Sequence, residues 1–124
     1  MKRIASLSVI AVMLVTLNQS CKKASADTVT TQTIDASVSM NQTLQLNLGS
    51  AGNKQSISVN SQALHAEVSQ VSKSSGKAIY TYTPATSYFG TDQVVIKSVN
   101  DSTHDCTPGS KVTTLTTVNI TVVK

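Results

Sequence analysis

The residue types able to do chemistry are few in this chain, and most of them crowd into one segment. His104-Asp105-Cys106 is the only place where an imidazole, a carboxylate and a thiol are adjacent. A thiol nucleophile needs a base converging on it in space, whereas neighbours on an extended segment point in different directions. A zinc centre wants about four ligands; Cys106, His104 and Asp101 would supply three, with only the distant His65 to complete the set. Asp101, Thr103 and Asp105 alternate as in some calcium loops, and Asp92 would join them from the neighbouring turn. The glycine and the bidentate glutamate of an EF-hand loop are missing, so turn-capping carboxylates are the simpler reading and no metal is expected. Serine hydrolysis lacks its Gly-x-Ser-x-Gly elbow. Glu67 is the sole glutamate, and no spacing sets two acids across a cleft. Tyr80, Tyr82, Tyr88 and Phe89 are all the aromatics present. Exposed, they would make a binding platform; core packing is the expected role. The chain is therefore expected to carry no catalytic residue and no cofactor.

Charge narrows the partners. The 124 residues have a formal net charge of +4. Lys2, Arg3, Lys22 and Lys23 account for all of it, and the residues from 24 onward balance six positive against six negative side chains. A nucleic-acid binder would need its basic patch on the folded part, so that class is excluded.

Two of those charges open a leader and the other two follow it. Lys2 and Arg3 precede an apolar run from Ile4 to Leu17, broken only by Ser6, Ser8 and Thr16. As a helix this run would span about 21 Å, short of the roughly 30 Å hydrocarbon core. It reads as a signal peptide over residues 1–20, not as a membrane span. Two processing sites follow. Leu17-Asn18-Gln19-Ser20-Cys21 resembles the lipobox of bacterial lipoproteins, a small residue before a cysteine directly after the apolar run. That resemblance implies acylation of the Cys21 thiol, cleavage before it and acylation of the new amine. Two or more acyl chains hold a protein on a bilayer where one chain is marginal. The alternative is ordinary secretion by cleavage after Ala24-Ser25-Ala26, which has Lys22 and Lys23 just upstream. With Cys21 lipidated, Cys106 has no partner in the chain. No disulfide then forms, and the domain must stand on its own core.

Residues 21–35, rich in Ser, Thr, Ala and Gln, read as a flexible tether, and residues 36–124 as the domain. Val38, Met40, Leu44, Leu46 and Leu48 alternate with polar residues, which predicts a strand pair or one long interrupted strand. Further alternating runs start at Ile57, cover Ala78–Thr83, occupy Gln93–Val99 and end at Val118, Ile120 and Val122; Ala63–Val71 fits a strand or a short helix, with strand preferred. Leu115 is out of phase with the last run, which predicts a bulge or second register there. About seven short strands with turn signals every 8–12 residues predict an all-β, two-sheet antiparallel sandwich.

Within it, Tyr80-Thr81-Tyr82-Thr83-Pro84, then Tyr88-Phe89-Gly90-Thr91-Asp92, Val94-Val95-Ile96 and Val118-Asn119-Ile120-Thr121-Val122 resemble the repeat signature of bacterial immunoglobulin-like and cadherin-like domains. The likeness covers roughly residues 60–124. It implies an immunoglobulin-like sandwich, with Gly90 allowing a positive-φ turn, Thr91 and Asp92 capping it, and Tyr88 and Phe89 closing one end of the core. Relatives of the cadherin-like kind often bind calcium, which keeps Asp92, Asp101 and Asp105 as candidate ligands. The expected protein is a lipid-anchored cell-envelope domain, on the outer membrane and facing the periplasm or the surface. It would contact another envelope protein or a glycan. The competing expectations are a secreted, calcium-dependent adhesion module and an accessory subunit of an envelope assembly.

Overall fold

The computed structural model describes residues 27–102 and 110–124. The segment expected to be a leader, Cys21, His104, Asp105 and Cys106 lie outside the described residues. Seven strands follow one another: β1 (Thr28–Ser39), β2 (Leu44–Ser50), β3 (Gln55–Ser61), β4 (Ala66–Ser74), β5 (Lys77–Pro84), β6 (Gly90–Ser102) and β7 (Ser110–Val123). They form a four-stranded sheet, β1-β7-β6-β3, and a three-stranded sheet, β2-β5-β4. Facing sheets of β3-β6-β7 and β4-β5-β2 reproduce the order of an immunoglobulin-type sandwich. The pairings are antiparallel except one: β1 runs parallel to β7 over all twelve of its residues.

Period-two patterning builds the core. Tyr80 and Tyr82 of β5 meet Val94 and Ile96 of β6, Val118, Ile120 and Val122 of β7, and Val38 of β1, all buried. Each fully buried aliphatic side chain stabilises the fold by about 1.5–3 kcal/mol. The two tyrosines fill the most volume and keep their hydroxyls partnered: Tyr80 bonds the Ser69 hydroxyl at 2.8 Å and Tyr82 donates to Asp92 at 3.1 Å. No buried side-chain polar atom among the described residues lacks a hydrogen-bond partner.

Several sequence expectations are refined here. The alternation from Val38 to Leu48 belongs to two strands in different sheets, separated by a turn in which Gln42 N–H donates to Ser39 O at 3.0 Å. Residues 28–35, expected in the tether, are the first two-thirds of β1. Their first six side chains are exposed on both faces, so backbone bonds to β7 hold them and no apolar alternation announces them. Leu115 causes no bulge, because β6 and β7 pair without a register shift. Thr116 takes the inward position in its place and is buried, accepting a bond from Gln32 Nε2 at 2.7 Å. Phe89 does not close the core; it is exposed, with the Lys124 ammonium 4.3 Å from its ring centroid.

Three of the segments that carry the chain from one sheet to the other lie at one end of the sandwich: residues 40–43, 62–65 and 85–89. The remaining crossing, residues 51–54, and the β4–β5 hairpin lie at the opposite end.

Candidate functional site

The end with three crossings is organised by one carboxylate. Asp92 sits at an inward position near the start of β6 and is buried. Its Oδ1 accepts the N–H groups of Leu64 and Gln93, both at 2.9 Å. Its Oδ2 accepts the His65 N–H at 2.9 Å and the Tyr82 hydroxyl at 3.1 Å. Burial pushes the carboxyl pKa up, but the bonds from Leu64, His65, Gln93 and Tyr82 more than reverse that and hold it below the usual carboxylate value. Tyr82 is pushed well above the ordinary phenol value, by burial first and then by the neighbouring Asp92 charge. It stays a neutral donor. With each oxygen already accepting two bonds, Asp92 is committed to positioning backbone and is unavailable as a general base or cation ligand.

Asp92 thereby clamps the 62–65 crossing onto β6, and other bonds tie in its neighbours. His65 O accepts the Ala85 N–H at 2.8 Å, and Asn41 Oδ1 accepts the Ser87 N–H at 3.3 Å. The His65 imidazole stacks on the Tyr88 ring with centroids 4.2 Å apart and planes 1° off parallel, while Tyr88 donates to Thr91 O at 2.6 Å. Gly90 follows at φ +134°, where a Cβ would come within 3.2 Å of the Tyr88 hydroxyl oxygen. The φ is what demands glycine there, and a Cβ would also press the Tyr88 hydroxyl aside by a few tenths of an ångström.

The clamp presents side chains it does not bury. Leu64 is 86% exposed although its own N–H is fixed. Beside it lies a hollow of about 550 Å³, walled by Leu64, His65, Gln93, Asn119 and Thr121 among others. Gln93 and Asn119 of its lining belong to a polar row across three strands: Gln93 Nε2 donates to Asn119 Oδ1 at 2.8 Å, and Asn119 Nδ2 donates to Asp35 Oδ1 at 2.8 Å. Such an arrangement suits recognition: a fixed apolar tip, an aromatic stack and amide groups on a rigid sheet.

Of the candidate calcium ligands, Asp92 and Asp101 are not brought together. Asp92 and Asp101 sit nine residues apart on β6, roughly 30 Å along an extended strand. Asp101 is exposed. Asp105 lies outside the described residues, as do Cys21, His104 and Cys106. Among the described residues no group of three or more His, Cys, Asp or Glu side chains is placed to hold a metal ion. Sequence reasoning foresaw the positive φ of Gly90 and Asp92 as an acceptor of backbone N–H groups, but set that cap on the Gly90 turn, whereas Asp92 accepts from Leu64 and His65 of the 62–65 crossing. It missed Leu64 and the Asp35–Asn119–Gln93 row, whose members come from strands far apart in the chain, and considered His65 only as a distant metal ligand. The only sequence signal at Leu64 is the apolar pair Ala63-Leu64 that ends the polar run Asn60-Ser61-Gln62.

No family model matches the chain, and no curated protein matches it. Among solved structures it is similar to a chain in the structure of PbICP-C in complex with falcipain-2, at 13% identity and a TM-score of 0.48, over 79% of this chain and 93% of that one.

Proposed function

We propose that this protein is a lipid-anchored, non-catalytic envelope lipoprotein whose sandwich presents its three-crossing end to a protein or glycan partner. The topology is the observation that carries the reading. β1 begins at the end of the sandwich opposite the Asp92 clamp and runs its whole length toward it. At about 3.3 Å per residue that is roughly 40 Å. An acylated Cys21 lies seven residues before Thr28, a reach of at most about 25 Å. The anchored end and the clamp end are therefore opposite ends of the domain, and Leu64, His65 and Phe89 face away from the bilayer. The basic n-region, the short apolar run and the small residue before Cys21 support the anchor.

Fatty-acid labelling of wild type and Cys21→Ala, with protease added to intact cells, tests it. The expected result is label on wild type alone, with Cys21→Ala released from the membrane fraction. Cleavage by the added protease would direct the search to partners outside the cell, and protection to periplasmic ones. Unlabelled wild type found in the medium and beginning at Asp27 would replace the anchor reading with a freely secreted domain.

A further inference from the structure

The hollow at the clamp end carries neutral hydrogen-bonding groups on nearly every wall. Gln62, Gln93 and Asn119 bring amides to it, and Ser61, Thr91 and Thr121 bring hydroxyls. The carboxylate in its lining, Asp92, is buried with both oxygens already engaged. Among the described residues no Lys or Arg lines it. A phosphorylated, sulfated or carboxylate ligand would find no lasting cation there, and a cationic ligand no free carboxylate on the walls. An acyl chain would leave the amides and hydroxyls without partners, at a cost for each. Leu64 is the one exposed apolar side chain of the lining. At about 550 Å³ the hollow has the size of a small-molecule site. The chemistry left is that of a neutral ligand rich in hydroxyls.

Two of the amides are held in place before any ligand arrives. Gln93 donates one Nε2 hydrogen to Asn119, and Asn119 donates one Nδ2 hydrogen to Asp35. An amide side chain has two donor hydrogens and an oxygen with two lone pairs. Gln93 therefore keeps an N–H and its whole oxygen for a ligand, and Asn119 an N–H and one lone pair. Donor and acceptor side by side match a sugar hydroxyl, which donates one bond while accepting others. Fixing the amides beforehand lowers the entropy lost when a ligand binds. His65 provides a flat surface. One face of its ring lies on Tyr88, the side chain is 49% exposed beside the hollow, and its backbone N–H is bonded to Asp92. A pyranose has faces of C–H groups between its hydroxyls, so a held ring next to held amides meets both parts of it.

We propose that this hollow is a saccharide site that takes a neutral sugar ring, with a C–H face of the sugar against His65 and its hydroxyls on Gln93 and Asn119. Resting on the reading of this end as the partner-facing one, the site narrows that partner from protein or glycan to glycan. A protein interface has an apolar centre depleted of polar groups, whereas these walls offer Leu64 alone among amides and hydroxyls.

Saturation-transfer NMR on the full chain, in micelles of a sugar-free detergent, tests this. The probes are the methyl glycosides of glucose, galactose, mannose, xylose and N-acetylglucosamine, with methyl glucuronide as the anionic counterpart. Transfer to the ring C–H protons of at least one neutral glycoside is expected, well above that to the glucuronide. Gln93 is exposed, so Gln93→Ala should keep the wild-type Tm and lower the transfer severalfold, the size of one lost hydrogen bond. His65→Ala leaves the backbone bonds to Asp92 and Ala85 in place and removes the ring; it should lower the transfer at least as far. Gln70→Ala, exposed on β4 in the other sheet, is the control and should change nothing. No transfer to any neutral glycoside, transfer to the glucuronide alone, or transfer that neither Gln93→Ala nor His65→Ala lowers would overturn the inference. In the first case, a Leu64→Cys chain that crosslinks to a protein in native membranes would assign this end to a protein partner instead. The Cys21→Ala chain is expected to bind the same glycoside equally well, so loss of the anchor and loss of the saccharide site give different results.

Discussion

Removing the Asp92 carboxylate would strand the N–H groups of Leu64, His65 and Gln93 and leave the Tyr82 hydroxyl only its long 3.5 Å bond to His65 O. A buried donor left without a partner costs about 1–3 kcal/mol. Asp92→Ala is therefore expected to lose at least about 3 kcal/mol in urea or thermal unfolding, a large share of a small domain's stability. Asp92→Asn keeps one acceptor oxygen and should lose less. The pH dependence has a definite sign. The folded-state pKa of Asp92 is depressed by the bonds it accepts, against the upward push of burial. Its contribution is fully present above the unfolded carboxyl value of about 3.9 and is lost as pH falls through the lower folded value. Wild type should lose stability across that acidic window, and Asp92→Asn should lose less there. Equal acid sensitivity in the two proteins would mean the clamp is not the titrating element. At this scale the sequence was partly legible. A glycine before Thr-Asp signals a capped turn, and Tyr80 with Tyr82 signals one buried face. The partners of that cap were hidden, since Leu64 and His65 contribute backbone N–H groups that any residue type would supply.

The elements divide the same way. β5, β6 and most of β7 alternate because one face of each is buried, and that period survives in the sequence. The N-terminal half of β1 has no buried face, so nothing in its residue types separates a paired strand from a loose tether; only the partner strand decides. Turns are intermediate. Ser75-Gly76 joins β4 to β5, with φ of +50° at Ser75 and +72° at Gly76, the conformation of a type I′ hairpin turn. Gly76 suits it. Serine at a left-handed position is strained where asparagine is tolerated. Ser75→Asn is expected to stabilise the domain by about 0.5–1 kcal/mol, raising Tm by a few degrees in a domain this size. A neutral or lowered Tm would show that the hairpin is not held in this turn.

For the whole molecule, the arrangement of ends is what the sequence could not disclose. The strands were countable, but which sheet each joins, and hence where the crossings gather, depends on pairings across the full chain. The consequence is geometric. If the chain is held at Cys21, the start of β1 lies within a short tether's reach of the bilayer, while Leu64 and Phe89 stand at the far end. Both are exposed, and Leu64 is fixed by its N–H bond to Asp92. A bulky polymer-maleimide should sense the difference where a small reagent would not. With Cys106→Ser as background and native membranes as the sample, Leu64→Cys and Phe89→Cys are expected to react severalfold faster than Thr28→Cys with the large reagent. All three should react alike with a small one, since all three sites are exposed in the fold. Releasing the chain with Cys21→Ala should abolish the contrast, because the obstruction is the membrane and not the sandwich. If Thr28→Cys reacted as fast as Leu64→Cys on membranes, the domain would not stand clamp-end outward, and a partner-facing role for Leu64 and its hollow would lose its geometric support.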